Sequence, residues 1–221
     1  MLPQESRSQR LGIGDILDGA WEVLWRRPLD FLSVGVLAVA TGLLLKLPGP
    51  DAPALLGLLF FLGVGLATFL LVGYWIMAVA WLTERTVLGE KRGLPRALAA
   101  AFATTPRYLP AGLLVLLILS GLSLLLAVPG VVQSVYYAFV VHVIVLRHGH
   151  CKGALDHSKA LVRSRWWRVF WINLLLALPY LLVSLLGNQL PRTAPVQTGI
   201  LLLNAVFTSF WLICMTLLFL A

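Results

Sequence analysis

Acidic residues are scarce in this chain. Nine Asp and Glu stand against 17 Lys and Arg, for a formal net charge of +8. Charge of either sign is thin, at 12 % of 221 residues, and it is missing altogether from Phe31–Leu45, Ala52–Thr83 and Tyr108–Leu146. A proton- or ion-coupled transporter uses acids or bases inside its spans, so this gap argues against one. Cysteine is almost absent too. Cys151 and Cys214 provide no disulfide framework, and they are predicted in a cytoplasmic loop and in a span, too far apart to pair. No P-loop, HExxH motif or serine–histidine–acid order occurs, which removes the familiar signatures of nucleotide and hydrolytic chemistry. The opening MLPQESRSQR has no apolar h-region behind it, which predicts no cleaved signal peptide.

Apolar residues are abundant. They make up 60 % of the chain and raise the mean hydropathy to +0.92, outside the usage of soluble domains and typical of a polytopic membrane protein. A basic excess can signal nucleic acid. Here the Lys and Arg sit beside apolar runs, so the expected partners are anionic lipid headgroups and other integral membrane proteins, with no nucleic acid.

The hydrophobic pattern predicts an all-α protein with six transmembrane helices. Span 1 is read at Leu29–Leu47, followed by the tight loop KLPGPDAP. Span 2 lies within Ala52–Thr83, whose 32 residues would make a helix of about 48 Å against about 30 Å of hydrocarbon. It must tilt, kink or protrude, and Gly63 with Ala67 offers a small-xxx-small contact. The Pro129–Gly130 turn signal divides the next run into span 3 (Leu109–Val128) and span 4 (Val131–Leu146). Span 5 covers Val169–Leu186, with Pro179 bending it, and span 6 covers Thr198–Leu220 after the loop GNQLPRTAPVQ.

Three amphipathic stretches lead into these spans, and each is predicted to lie on the cytoplasmic membrane face. Gly14–Arg27 places Ile13, Ile16, Leu17, Ala20 and Leu24 at helical spacing, with Trp21 and Trp25 at the headgroup boundary. A second stretch repeats Leu94, Leu98 and Phe102 and is expected to end at Pro106. The third, RHGHCKGALDHSKALVRSRWWRVFW, carries six basic residues and sets Ala154, Leu155, Ser158, Leu161 and Val162 on one face. The three align without gaps, with Ile16, Leu94 and Ala154 in one column and Phe31, Leu109 and Val169 in another. The expected architecture is therefore a single membrane domain of three pseudo-repeats, about 13–83, 92–147 and 152–221, each an interfacial helix followed by a hairpin. Fifteen of the 17 basic residues fall on the side of the termini and only Lys46 and Arg192 on the other, so both termini are predicted cytoplasmic. Arg26, Arg27, Arg107, Arg163, Arg165 and Arg168 are expected at one headgroup level, with Trp21, Trp25, Trp166, Trp167 and Trp171 as interfacial anchors.

The motif GDILDGAWEVLWRRP, the PG turn leading to SVYYAFV, and GALDHSKALVRSRWWRVF together resemble the membrane-domain superfamily of the bacterial glycerophosphodiester phosphodiesterases. The best-matching positions are Ala154, Leu155, Ser158, Leu161, Val162, Arg163, Arg165, Trp166, Trp167, Arg168 and Phe170. Ser164 stands where relatives often have Gly, and Leu146–Arg147 where they often have an acid. The resemblance implies a six-span protein of the bacterial inner membrane. The family takes its name from members fused to a soluble phosphodiesterase. No such domain lies within these residues, so the resemblance implies no enzyme activity.

Few side chains suggest chemistry. His148, His150, Cys151, Asp156 and His157 are metal-ligand types, but H-x-H-C matches no standard zinc spacing and a solvated loop is the simpler expectation. His142, alone in span 4, is the one cofactor candidate, for a haem, a chlorophyll or a proton relay; against this stands a histidine hydrogen-bonded between helices to a Tyr or Gln. Asn173 and Asn204 are expected to bond neighbouring helices. No metal or cofactor is expected. The leading expectation is a non-catalytic scaffold or accessory subunit packing laterally in a membrane complex. The alternative is a permease-like or lipid-handling protein, which requires a cavity within the membrane.

Overall fold

The computed structural model describes residues 12–31, 33, 40, 54–90, 93–125, 127–187, 189 and 194–220. These residues are helical, with no strand among them. Span 1 and the loops KLPGPDAP and GNQLPRTAPVQ fall largely outside the described residues. The itemised helices are α1 (Ile13–Arg26), α2 (Ala54–Val87), α3 (Leu94–Leu125), α4 (Ala127–Tyr136), α5 (Val140–Arg147), α6 (Cys151–Arg163), α7 (Trp166–Gly187) and α8 (Ala194–Leu220). Among the described residues, five stretches are long and apolar enough to cross a membrane: Leu59–Val87, Leu94–Leu122, Val128–Arg147, Trp166–Gly187 and Val196–Leu220. This is the fold of a multi-pass membrane protein.

The first amphipathic helix forms as the sequence predicts. The Gly12 amide donates to the Asp15 carboxylate at 2.6 Å, and Arg26 pairs with Glu22 one turn back at 2.6 Å. Its buried residues are Ile16, Ala20 and Val23, while Ile13 is exposed. This face packs on α8, where Gly19 approaches Leu217 and the Trp21 and Phe210 rings meet edge-on at 6.5 Å.

The second amphipathic stretch departs from expectation. Pro106 does not end a helix; α3 runs continuously through Pro106 and Pro110. Its buried residues are Ala97, Ala101, Thr104, Tyr108 and Ala111, a stripe at spacings of three and four that crosses both prolines. Phe102, predicted on the apolar face, is exposed, as is Leu98. The small face wins because it lets α3 come close to α2, and the packing along that stripe outweighs the hydrogen bonds the prolines remove. The Thr104 and Thr105 hydroxyls add bonds to the Ala100 and Ala101 carbonyls, at 2.7 and 3.1 Å.

Close packing also uses other glycines than the sequence suggests. At Gly63 an added Cβ would meet nothing within 4 Å. At Gly73 it would collide with the Tyr108 ring, and at Gly112 it would lie 2.7 Å from Phe69. Tyr108 stacks on Phe69 with ring centres 5.4 Å apart. The contact between α2 and α3 is built around that aromatic pair and the two bare glycines beside it.

Pro129–Gly130, expected as a turn, lies inside α4. The break in Val128–Arg147 comes later, at Tyr137–Phe139. After it, α5 ends at His148 in the left-handed region (φ 54°), and the Gly149 amide bonds the Val143 carbonyl at 3.2 Å. A side chain at Gly149 would press on Val143 at 2.9 Å. α7 continues through Pro179 as one helix and packs on α8. The core joins Trp75, Ala78, Val79 and Leu82 of α2 to Ile213, Cys214 and Met215 of α8, with Val135, Phe139, Val162 and Val169 packed against them.

Candidate functional site

The site grows from the break between α4 and α5. Across the break the Tyr137 and Ala138 amides still reach the Gln133 and Val135 carbonyls, at 3.0 and 3.3 Å, and Ser158 of α6 serves the Phe139 amide and the Tyr136 carbonyl. Its hydroxyl donates to the Tyr136 carbonyl at 2.7 Å and accepts the Phe139 amide at 3.3 Å. Ser158 is fully buried, beside buried Ala154, Leu155 and Val162; Leu161, expected on the same face, is exposed. α6 is thereby pinned along the broken segment, and its last turn ends at Arg163.

There the chain turns through Ser164 and Arg165 into α7. Arg163, Arg165 and Arg168 line one groove of about 1000 Å³ together with Ser164, Trp166, Trp167 and, from α4, Val128, Val132 and Tyr136. The three arginines predicted at one headgroup level are thus brought to a single concave surface. Three guanidinium groups and no carboxylate line it, so it suits an anion, and a phosphate fits the fork of arginine donors.

A second space, a cavity of about 670 Å³, lies between α2, α3, α4, α5, α7 and α8. Its wall is mostly apolar, including Val72, Ile76, Leu119, Val131, Leu174 and Met215. The few polar side chains are Ser134, Tyr137, His142, Asn173 and Thr208, with the indoles of Trp75 and Trp211. Groove and cavity meet at one aromatic pair. Trp166 lines the groove, Phe170 lines the cavity, and their rings stack at 5.2 Å. Asn173 is tied down, donating to the Val169 carbonyl at 2.9 Å and accepting from Trp211 Nε1 at 3.2 Å. Asn204 reaches Ser184 at 3.4 Å.

The remaining predicted residues are held elsewhere. Arg27 lies 4.0 Å from Asp30 and also donates to the Glu90 carbonyl. Arg107 approaches His148 Nδ1 at 3.4 Å. Trp21 and Trp25 are exposed and meet each other edge-on at 5.7 Å, and Trp167 and Trp171 are exposed on α7. His142 is 2 % exposed, with Nε2 3.1 Å from Thr216 Oγ1 and its ring between Phe139 and Phe219. Its helix-bridging partner is a threonine rather than the Tyr or Gln expected. Among the described residues no three of His, Cys, Asp and Glu gather as a metal site, so His148, His150 and Cys151 do not converge with Asp156 and His157. Thr216, Trp75 and the α4 valines were missed in the sequence. Nothing in a single apolar run marks which of its residues will face a cavity.

These features define a class: a multi-pass membrane protein with a cationic groove and a largely apolar cavity, each lined by one ring of the stacked Trp166–Phe170 pair. No protein-family model matches the chain, and neither a curated protein nor a solved structure matches it.

Proposed function

We propose that this protein is a non-catalytic integral membrane protein that binds an anionic lipid laterally, with the headgroup in the arginine groove and the hydrocarbon in the adjoining cavity. The observation that carries this reading is the convergence of Arg163, Arg165 and Arg168 on a groove sharing its Trp166–Phe170 wall with a largely apolar cavity. An apolar cavity suits a hydrocarbon chain better than a hydrated solute, which favours lipid handling over a permease for polar substrates. The proposal includes the finer architecture: a sixth span at Leu29–Leu47, three helix-plus-hairpin repeats, cytoplasmic termini and a place in a bacterial inner membrane. It also includes membership of the glycerophosphodiester phosphodiesterase membrane-domain superfamily, on the three motifs that resemble it.

A scaffold or accessory role is the companion reading. It draws on the exposed row Trp167, Trp171, Leu178 and Leu185 along α7, a face open to a partner helix. Purification in mild detergent, with native mass spectrometry of what remains bound, separates the two. Retained anionic lipid that is lost when Arg163, Arg165 and Arg168 are all changed to Gln supports lipid binding. A stoichiometric protein partner with no retained lipid supports the scaffold. Equal retention of anionic and zwitterionic lipid by both forms would overturn the lipid reading.

A further inference from the structure

The arginine groove has a neighbour. A smaller cleft of about 400 Å³ lies between α6, α7 and the end of α8, lined by His157, Ser164 and Arg165 and by apolar residues that include Phe139 and Phe219. Ser164 and Arg165 line the groove as well. The two hollows therefore adjoin, and the turn between α6 and α7 is the ridge that parts them. That ridge is fixed by its own backbone. The Arg165 amide donates to the Val162 carbonyl at 2.9 Å, and the Arg165 carbonyl accepts the Val169 amide at 3.0 Å. A second tie runs behind it. Tyr136 lines the groove, Phe139 lines the cleft, and the Ser158 hydroxyl bonds the backbone of both.

Charge has the same sign on both sides of the ridge. Arg163 and Arg168 line the groove alone, His157 lines the cleft alone, and Arg165 lines both. Among the described residues no carboxylate lines either hollow. Each also has an apolar wall, with Val128 and Val132 in the groove and Leu218 and Phe219 in the cleft. Each is suited to an anionic headgroup and the start of its hydrocarbon, and basic pockets between membrane helices are the sites that take headgroups with several phosphates. A lipid with one phosphate fills one hollow. A lipid whose two phosphates are joined through glycerol can straddle the ridge, and the join makes the second contact intramolecular.

Resting on the lipid-binding reading, we propose that the ligand is a bis-phosphatidyl lipid of the cardiolipin type. One phosphate lies in the groove with Arg163 and Arg168. The other lies in the cleft with His157, and Arg165 stands between them.

The test uses the full chain in nanodiscs of zwitterionic lipid, titrated with tetraoleoyl cardiolipin and with dioleoyl phosphatidylglycerol. The second lipid has the same chains and the same phosphodiester to glycerol, without the second phosphatidyl arm, and the two are compared at equal phosphate. The wild type is expected to bind cardiolipin about tenfold tighter, a modest gain for two linked contacts. Ala160 is exposed and lines the cleft but not the groove. Ala160→Glu sets a carboxylate in the cleft and should erase the preference, with the affinity for phosphatidylglycerol unchanged. Ala160→Gln, matched in size, should keep it. His157→Glu, three residues away on the same face of α6, should act as Ala160→Glu does and carries the test if that variant fails to fold. Equal binding of the two lipids by the wild type overturns the bridging ligand. So does a preference that survives both Glu variants, or a loss that Ala160→Gln shares in full. The failure of the wider reading looks different: changing Arg163 and Arg168 to Gln would then leave the binding of both lipids at the wild-type level.

Discussion

The Ser158 hydroxyl and the Phe139 amide lie 3.3 Å apart, and through that contact α6 closes a gap in the helix beside it. The same hydroxyl donates to Tyr136, so one side chain serves both sides of the break. Ser158→Ala leaves a buried amide and a buried carbonyl unpaired, at a cost of about 1–3 kcal/mol. Thermal unfolding in detergent, followed by tryptophan fluorescence, should show a clear drop in midpoint. Amide exchange at Tyr137–Phe139 should speed up selectively. An unchanged midpoint would mean that the break stands without α6.

Gly73 and Gly63 lie ten residues apart on the same helix and should respond in opposite ways. Gly73→Ala drives a methyl into the Tyr108 ring, and such overpacking costs about 1–3 kcal/mol. Gly63→Ala meets nothing within 4 Å and should stay within about 0.5 kcal/mol of the wild type. Paired melts of the two variants decide this, and equal effects would overturn the assignment of Gly73 to the close contact between α2 and α3.

Trp166 is a wall of the groove, stacked on Phe170. Trp166→Phe keeps an aromatic face there and should be mild. Trp166→Ala loses the stacking, worth about 0.5–1.5 kcal/mol beyond simple burial, and removes an aromatic face from the groove. Flotation with anionic vesicles should separate the two variants, with only the alanine form weakened.

Changing Arg163, Arg165 and Arg168 together to Glu should reduce association with anionic vesicles, since each cation near such a surface contributes about 1 kcal/mol. Insertion of the α7–α8 segment should suffer as well. The wild-type association should itself weaken as salt is raised. Salt-insensitive association would show that the arginines do not meet the headgroups.

The bond between Asn173 and Trp211 is a candidate polar tie between α7 and α8. Hydrogen bonds of this kind between membrane helices average about 0.6 kcal/mol. A double-mutant cycle of Asn173→Leu with Trp211→Phe should give a coupling of about that size. Zero coupling would reduce the pair to a packing contact.

The sequence alone determined the class. Long uncharged apolar runs leave a chain no soluble core to build, and helices satisfy their own backbone inside hydrocarbon, so an all-helical membrane protein was legible from composition. The clustering of Arg163, Arg165 and Arg168 with Trp166 and Trp167 was legible as well, because residues so close in sequence remain close in any helix. Other features depended on contacts distant in sequence. Pro106 and Pro129–Gly130 read as stops, yet α3 and α4 run through them; at Pro106 the packing of α3 on its neighbours offsets the missing hydrogen bond. Leu98 and Phe102 read as a buried face, yet Ala97 and Ala101 are buried in their place, since close approach of α2 favours small residues over large ones. Ser158, Trp75 and Thr216 acquire their roles only from partners 19 or more positions away, or from a cavity that six helices line. Local pattern records hydrophobicity and helical period; which face meets which neighbour, and which polar atom is left without a partner, follows from the packing of the whole bundle.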